Sequence, residues 1–303
     1  MKALVIGFGS IGNRHARVLK ALGCQVSVVS RRSVEWESHY FTLEEALRSE
    51  NPGYVVVATR TSEHYKALST LALCDYKGIV LVEKPLFDQN VALPLHSFQN
   101  LFVAYNLRFH PGIQRLRELL KGQNIITFHV YAGQYLPDWR PNTDYRTGYS
   151  SNKSEGGGVL RDLSHELDYV NWLLGDWECL TSMGGTFSRL EINSDDVYSI
   201  LLKTKSCPAV TITLNYLDKA ARRFIIVNTD QFTIQLDLIK NIISVNGDSE
   251  QFEVPRDFTY MAQHKAVLNS DYDTLCSEGE AIQVMSMIEA VELANEKRSW
   301  VTR

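Results

Sequence analysis

The stretch Gly7-Phe8-Gly9-Ser10-Ile11-Gly12 decides the first part of the fold, because it matches the pattern G-x-G-x-x-G. It directly follows the apolar run Lys2–Ile6 and precedes Asn13–Leu22, whose apolar residues have helical spacing. In such a unit one glycine allows the tight turn, one lets a diphosphate approach the backbone, and one lets helix and strand pack closely. The free N–H groups of the helix then face the phosphates. We therefore predict that these six residues bind a dinucleotide.

The end of the next predicted strand, Gln25–Ser30, indicates which dinucleotide is bound. A site for NAD usually has an acidic residue there, which accepts hydrogen bonds from the ribose hydroxyls. This chain has Ser30-Arg31-Arg32 instead. A hydroxyl and two guanidinium groups suit a 2′-phosphate. The sequence thus favours NADP, while NAD stays open because two loop arginines can also be plain surface residues.

Composition and charge exclude several classes of protein. The chain has 303 residues, a formal net charge of −4 and 45% hydrophobic residues, a profile typical of soluble globular proteins. A mildly acidic balance argues against a nucleic-acid binder, and no apolar run is long enough for a membrane span. The five cysteines form no C-x-x-C pair, so we expect no zinc site, no disulfide framework and a cytoplasmic location.

The texture of the sequence changes near residue 120. Before it, Val- and Ile-rich runs such as Gly53–Thr59 and Gly78–Val82 alternate with helical segments, which is typical of a parallel sheet covered on both faces. After it, runs such as Val210–Tyr216 alternate apolar and polar residues, which favours an antiparallel sheet. We predict an α/β protein, with a doubly wound Rossmann domain over residues 1–118 and an α/β domain with a large open sheet over residues 119–303.

Two segments carry candidate chemistry. Glu83-Lys84-Pro85 ends a buried strand, and in an open parallel sheet ligands bind beyond such ends, so Lys84 is placed to bind a substrate hydroxyl or carbonyl. Residues 160–174 predict one helix on which His165 lies three residues from both Asp162 and Asp168. A carboxylate fixes the imidazole tautomer and raises its pKa, which suits a proton relay. Taken alone, each segment is also compatible with an ordinary strand end or a salt-bridged helix face.

A polar, aromatic segment lies between these two motifs. It contains Trp139, Arg140, Tyr145 and Arg146, and Arg108 precedes it. Aromatic rings can stack on a sugar, and arginines can bind a carboxylate or phosphate. We expect these five residues to bind substrate, although a network of salt bridges explains the same residue types.

Together these motifs resemble the Gfo/Idh/MocA oxidoreductases, the group of glucose–fructose oxidoreductase and inositol dehydrogenase. The resemblance covers nearly the whole chain. It is carried by the following motifs: GFGSIG, Ala58-Thr59 followed by His64, Glu83-Lys84-Pro85, Tyr105-Asn106-Leu107-Arg108-Phe109-His110-Pro111, and Gly156-Gly157-Gly158 with Asp162-Leu163-Ser164-His165-Glu166-Leu167-Asp168. It implies a nicotinamide cofactor contacted also by Thr59, His64, Glu83 and Lys84, a sugar or cyclitol substrate, and dimers or tetramers formed through the second sheet.

By the same resemblance, Lys84 orients the substrate and His165 is the general acid or base, supported by Asp162 or Asp168. The expected reaction moves a hydride between the nicotinamide and a carbinol or carbonyl carbon of a sugar, acidic sugar or nucleotide sugar. Two alternatives stay open. One is a reductase of a non-sugar substrate, such as a tetrapyrrole in the manner of biliverdin reductase or a small carbonyl compound. The other is an NADP-binding sensor without turnover.

Overall fold

The computed structural model describes residues 1–140 and 143–303, which form two compact units. The first unit contains residues 1–109 and 256–282, and the second contains residues 110–255 and 283–303. In chain order the elements are β1 (Lys2–Ile6), α1 (Ser10–Ala21), β2 (Gln25–Val29), β3 (His39–Tyr40), α2 (Leu43–Glu50), β4 (Tyr54–Val57), α3 (His64–Leu73), β5 (Ile79–Val82), β6 (Asn100–Val103), α4 (Pro111–Leu120), β7 (Ile125–Gly133), α5 (Val159–Asp162), α6 (His165–Leu174), β8 (Trp177–Gly185), β9 (Val197–Thr204), β10 (Ala209–Asn215), β11 (Arg222–Thr229), β12 (Thr233–Asp237), β13 (Ile242–Val245), β14 (Asp248–Gln251), α7 (Phe258–Leu268), β15 (Cys276–Ser277), α8 (Glu278–Lys297) and β16 (Val301–Thr302).

The first unit is built on a sheet whose strand order is β15-β6-β5-β4-β1-β2-β3. All its pairs are parallel except β15 with β6. Every residue of β4 and β5 is buried, as expected for strands covered on both faces. The predicted doubly wound Rossmann sheet is therefore confirmed.

The second unit is built on a sheet of strand order β14-β13-β12-β11-β7-β10-β9-β8-β16. It is mostly antiparallel, with β7 and β10 running parallel. Val210, Ile212 and Leu214 of β10 are fully buried, while Thr211 and Thr213 on the other face are partly exposed. The predicted large, open and mostly antiparallel sheet is confirmed.

The ends of the two units differ from the division predicted at residues 118 and 119. The first compact unit ends at Phe109, and the chain returns to it over residues 256–282. Within that return lies α7, which packs beside α1 and contributes Ala266 and Val267 to the core of the first sheet. The predicted C-terminal helical region, roughly residues 259–297, also divides into α7, β15 and α8.

The prediction of one helix over residues 160–174 is wrong in one respect, because the structure has two helices there. α5 ends at Asp162 and α6 begins at His165. At the break, the N–H groups of Ser164 and Glu166 donate to carbonyls three residues earlier, not four. Asp162 and His165 are therefore not one turn apart on a continuous helix, whereas Asp168 lies in α6 with His165.

None of the helices in the described parts of the chain is long and apolar enough to cross a membrane.

Candidate functional site

The three glycines of the GFGSIG turn meet three different structural demands. Gly7 has φ +91°, and a Cβ there would lie 2.6 Å from the carbonyl oxygen of Ala58. A Cβ on Gly12 would lie 1.9 Å from the carbonyl oxygen of Gly7. Around Gly9, in contrast, no described atom lies within 4 Å of a Cβ position. Gly7 and Gly12 are thus required by the fold, while Gly9 leaves its backbone open, as a diphosphate site needs.

The other residues predicted in this turn are positioned to receive an anion. Ser10 is exposed and Ile11 is half-buried at the start of α1, and Phe8 packs edge-on against Trp36. The first turn of α1 contains no acidic residue, so the positive end of the helix dipole is not neutralised locally. These features fit the phosphates of a dinucleotide.

The turn Ser30-Arg31-Arg32 follows β2. The hydroxyl of Ser30 accepts a hydrogen bond from the main-chain N–H of Arg32 at 3.2 Å. The guanidinium of Arg31 is bound to the carboxylate of Glu63, which follows β4, and the Arg31 side chain is 81% exposed. An ion pair this exposed is weak, about 0–1 kcal/mol, so it is readily exchanged for a stronger anion.

Thr59 and His64, both predicted cofactor contacts, lie beyond β4. The hydroxyl of Thr59 is buried and has no hydrogen-bond partner within the described residues, so it is a free polar group for a ligand. His64 is only 1% exposed, and its ring nitrogens face the main-chain oxygens of Thr59, Pro85 and Leu86 at 3.1–3.3 Å. Burial lowers the pKa of His64, so its ring is neutral. His64 therefore connects the loop after β4 with the loop after β5.

Glu83 and Lys84 follow β5 directly. One carboxylate oxygen of Glu83 accepts a hydrogen bond from the main-chain N–H of Lys84 at 3.1 Å, and the other lies 2.8 Å from Nε2 of His15. Burial alone would raise the pKa of Glu83. The hydrogen bond with His15 and the charge of Lys84 outweigh this effect, and the pKa of Glu83 is lowered. The carboxylate thus stays ionised and fixes the main chain at Lys84.

The sheet brings these segments to a single edge. β1, β4 and β5 are parallel and lie side by side in the order β5-β4-β1. Gly7, Thr59 and Lys84 therefore follow the carboxyl ends of neighbouring strands. This is the edge at which open α/β sheets bind their ligands.

The second unit contains the other predicted catalytic residues. The Asp162 carboxylate accepts hydrogen bonds from the hydroxyls of Tyr149 and Tyr216, each at 2.6 Å. Burial, together with the charge of Asp162, raises the pKa of both tyrosines well above the ordinary value, so both remain donors. His165 is half-buried at the start of α6, and Asp168 is buried one turn later.

Three of the predicted substrate residues line one pocket of the second unit. Trp139, Arg140 and Tyr145 surround it together with Leu136, Pro137, Thr143, Asp144, Gly148 and Ser150. The indole of Trp139 also packs edge-on against Tyr216, with 5.2 Å between ring centroids. The pocket wall is therefore in contact with a tyrosine that holds Asp162.

The two remaining arginines have carboxylate partners. Arg146 lies next to the pocket on the surface and is paired with Asp144 at 2.9 Å and Glu191 at 3.3 Å. Arg108 has no exposed surface, and its guanidinium binds Glu280 at 2.9 Å and the carbonyl of Leu275 at 3.3 Å. Arg108 is thus buried and joins Leu275 and Glu280 to the rest of the first unit.

Several residues that contact the candidate site residues carry no signal in the sequence. His15, which binds Glu83, lies one helical turn after GFGSIG, but a lone histidine in a helix carries no signal of its own. Tyr149 and Tyr216, which hold Asp162, lie on separate segments, so no local spacing connects them.

Comparison with known proteins identifies both units. The model of the oxidoreductase family with an NAD-binding Rossmann fold (GFO_IDH_MocA) matches residues 1–93. The model of the GFO/IDH/MocA C-terminal domain matches residues 113–234. One curated relative, 2,7-anhydro-N-acetylneuraminate hydratase of Escherichia coli (strain K12), is 24% identical over 206 residues. That match includes 66% of this chain and 52% of the relative, so the chain spans about half of the relative's length.

Several solved structures share the fold over the whole chain. GenD2 from gentamicin A biosynthesis, in complex with NAD, is 20% identical with a TM-score of 0.80, covering 100% of this chain and 96% of that one. Levoglucosan dehydrogenase in complex with NADH is 14% identical with a TM-score of 0.84, covering 100% and 98%. The WlbA dehydrogenase from Bordetella pertussis, in complex with NADH and UDP-GlcNAcA, is 17% identical with a TM-score of 0.80, also covering 100% and 98%.

Proposed function

The chain belongs to the Gfo/Idh/MocA oxidoreductase family, and from this premise we propose that it oxidises or reduces one carbon of a sugar, acidic sugar or nucleotide sugar. When bound, the nicotinamide dinucleotide supplies or accepts the hydride. The observation that carries the proposal is the shared sheet edge of the first unit, where Gly7, Thr59 and Lys84 follow neighbouring parallel strands. A turn open to a diphosphate and an amine at the same edge are the two parts that hydride transfer to or from a carbinol carbon requires.

Lys84 and His165 are the groups proposed to handle the hydroxyl proton. A lysine ammonium can donate a hydrogen bond to the substrate oxygen and so polarise a carbonyl or hold a carbinol. An imidazole can accept the hydroxyl proton when the carbinol is oxidised and return it when the carbonyl is reduced. We propose that Asp168, within α6, supports His165, and that Asp162 acts through the tyrosines it binds.

The pocket around Trp139 is proposed to bind the sugar part of the substrate. An indole offers a flat apolar face, and Arg140 offers a guanidinium for a carboxylate or phosphate. Arg146, at the surface beside the pocket, is proposed as a second anion contact, since its pairs with Asp144 and Glu191 are exposed.

We propose that the cofactor site prefers NADP over NAD. The turn after β2 presents the hydroxyl of Ser30 and the exposed guanidinium groups of Arg31 and Arg32, with no acidic residue in the turn itself. Arg31 forms a weak surface ion pair with Glu63, and a doubly charged 2′-phosphate can displace the Glu63 carboxylate from it.

We further propose that copies of the chain associate through the open face of the second sheet. Leu201 is 42% exposed on β9, and Thr211 and Thr213 of β10 are partly exposed on the face opposite the core. Light scattering coupled to size exclusion measures the mass in solution. A monomer at all concentrations would contradict this proposal.

The experiment that tests the function follows nicotinamide absorbance with both cofactors over sugars, sugar acids, anhydro sugar acids, cyclitols and nucleotide sugars. Turnover on one of these classes is the expected result. Turnover on tetrapyrroles or small carbonyl compounds alone would contradict the sugar assignment. Tight dinucleotide binding without turnover on any substrate would favour a cofactor sensor.

A further inference from the structure

A chain of four polar side chains runs through the interior of the first unit. Oε1 of Glu83 lies 2.8 Å from Nε2 of His15, and Nδ1 of His15 lies 2.8 Å from Nε2 of His264. Nδ1 of His264 then lies 2.9 Å from the hydroxyl of Tyr54. His15, His264 and Tyr54 have no exposed surface, and they come from α1, α7 and β4. The chain therefore joins three elements to the residue that precedes Lys84.

When His15 and His264 are both neutral, these contacts allow only one arrangement of protons. Each contact needs one proton between its two atoms, and a neutral imidazole carries one N–H only. The ionised carboxylate of Glu83 can only accept, so Nε2 of His15 carries its proton. Nδ1 of His15 is then an acceptor for Nε2–H of His264, and Nδ1 of His264 is an acceptor for the hydroxyl of Tyr54. In the neutral state all donors point from Tyr54 towards Glu83.

The two rings cannot both be charged at this separation. Burial, with the nearby His15, lowers the pKa of His264 well below the ordinary value. Burial likewise raises the pKa of Tyr54 well above its ordinary value, so its hydroxyl remains a donor. A proton added to Nδ1 of His15 would reverse the hydrogen bonds from His15 to His264 and from His264 to Tyr54, while Nε2–H of His15 would still donate to Glu83.

We propose that His15, His264 and Tyr54 are positioning residues for Lys84, which they control through a proton relay that holds the Glu83 carboxylate against the main-chain N–H of Lys84. The inference rests on the role proposed above for Lys84. Other charged or titratable groups around the relay are Tyr260, whose ring is edge-on to His15, and Arg14, which lies over Tyr260 and pairs with Asp257. At the other end of the relay, Cys24 and Tyr76 lie near Tyr54.

Histidine tautomers give a direct readout of the relay. Two-bond proton–nitrogen correlation spectra of the protein labelled with ¹⁵N-histidine distinguish Nδ1–H from Nε2–H, and His15→Gln and His264→Gln assign the signals. At about pH 8, well above the ordinary histidine pKa, we expect His15 and His264 both to be Nε2–H tautomers. An Nδ1–H tautomer in either ring would overturn the proposal.

Glu83→Gln provides the stricter test, because it should reverse the relay. The main-chain N–H of Lys84 needs an acceptor, so the amide oxygen must face it and the amide NH₂ must face His15. His15 must then carry its proton on Nδ1 and donate to His264, which must donate from Nδ1 to Tyr54. The expected result is a change of tautomer in both rings. A change in His15 alone would show independent contacts and would overturn the relay.

Tyr54→Phe and Tyr76→Phe form a matched pair. Both remove one buried hydroxyl from the first unit, but that of Tyr76 donates to the carbonyl of Ile79 at 3.3 Å and lies outside the relay. We expect Tyr54→Phe to move the nitrogen signals of both His264 and His15, and Tyr76→Phe to move neither. This comparison also tests the relay if Glu83→Gln does not fold.

The kinetic consequence is measured on the same pair. Misplacement of a catalytic group by about 1 Å can cost about 100-fold in rate. We expect Tyr54→Phe to lower kcat about tenfold with little change in the dinucleotide Kd, and Tyr76→Phe to leave both unchanged. Equal kcat in the two variants would overturn the positioning role. The tautomer spectra need no turnover, so a failure of the proposed function leaves them interpretable.

Discussion

The hydroxyl of Tyr216 donates a hydrogen bond of 2.6 Å to the Asp162 carboxylate inside the second unit. Both groups are buried, and the Trp139 ring packs against the same tyrosine. A buried carboxylate that loses a donor is destabilised by about 1–3 kcal/mol. We therefore expect Tyr216→Phe to lower the free energy of unfolding by about that amount, measured by urea denaturation.

The matched control is Tyr198→Phe, since Tyr198 is buried in β9 of the same unit beside Gly184. Its loss of stability should be smaller. Under the proposed function, Tyr216→Phe should also lower kcat and leave the dinucleotide Kd unchanged, because the glycine turn belongs to the other unit. Equal unfolding free energies for the two variants would contradict the importance of the Asp162 contact.

The glycine turn allows folding and binding to be separated. Gly9 has φ −79° with open space around it, so Gly9→Ala should leave the free energy of unfolding within about 1 kcal/mol. It should nevertheless weaken dinucleotide binding, because the new methyl group lies where the diphosphate approaches.

Gly12→Ala is the contrasting variant, because its Cβ would lie 1.9 Å from the carbonyl oxygen of Gly7. We expect it to lower stability and binding together. Thermal denaturation and a fluorescence titration with dinucleotide measure the two properties. Normal dinucleotide affinity in Gly9→Ala would show that the diphosphate lies elsewhere.

The parts of the fold that the sequence predicted well are those with a local signal. β1, the glycine turn and α1 are contiguous, and fully apolar runs such as Tyr54–Val57 are typical of strands covered on both faces. The alternation in β10 predicted its buried and open faces for the same reason. In each case one short window contains the pattern that predicts the element, although the strands pair with distant segments.

The parts that were missed depend on distant partners. At the break between Asp162 and His165, the Asp162 carboxylate accepts hydrogen bonds from Tyr149 and Tyr216. Helical periodicity in the sequence gives no sign of these distant partners. Arg108 was predicted to bind substrate, but its guanidinium binds Glu280, which is 172 positions away in the sequence. The residue types in a sequence indicate which side chains suit a site, but not which of them are bound to distant parts of the fold.

Lys84 is tested by removal of its side chain. We expect Lys84→Ala to lower kcat by at least about 100-fold, the usual scale for loss of a proton-transfer group, and to change the dinucleotide Kd little. Lys77→Ala is the control, since Lys77 is an exposed lysine of the same unit paired with Asp75. Steady-state rates on the substrate found by screening provide the measurement, and normal turnover in Lys84→Ala would refute the proposed role.

The cofactor preference depends on Arg31 and Arg32. Hydrogen bonds to charged groups contribute about 1.5–3 kcal/mol, so the double variant Arg31→Ala/Arg32→Ala should weaken NADPH about 10- to 100-fold. NADH lacks the 2′-phosphate, so its Kd should change little. Arg48→Ala, on the exposed side of α2, is the control. Equal losses for NADPH and NADH in a calorimetric titration would refute the 2′-phosphate interpretation.

Buried histidines should make the stability depend on pH. Burial lowers the pKa of His64 and His110, and burial together with the nearby His15 lowers that of His264 further. The unfolded chain binds protons at the ordinary histidine pKa of about 6.5, so below that pH it carries more protons than the folded chain. The free energy of unfolding should therefore fall as the pH decreases from about 7 towards 5, by up to about 1.4 kcal/mol per pH unit for each histidine.

Ionised carboxylates with lowered pKa values, such as Glu83 and Glu280, act in the same direction but only below their ordinary pKa of about 4.3. Asp195 acts in the opposite direction, because burial raises the pKa of its carboxyl, so the comparison with a histidine variant is what isolates the histidine contribution between about pH 6.5 and 5. Urea denaturation at half-unit steps of pH measures the slope, and His264→Gln should reduce it because one titrating group is gone. A flat profile in the original protein, or an unchanged slope in His264→Gln, would mean that His264 takes up its proton in the folded state as readily as in the unfolded chain.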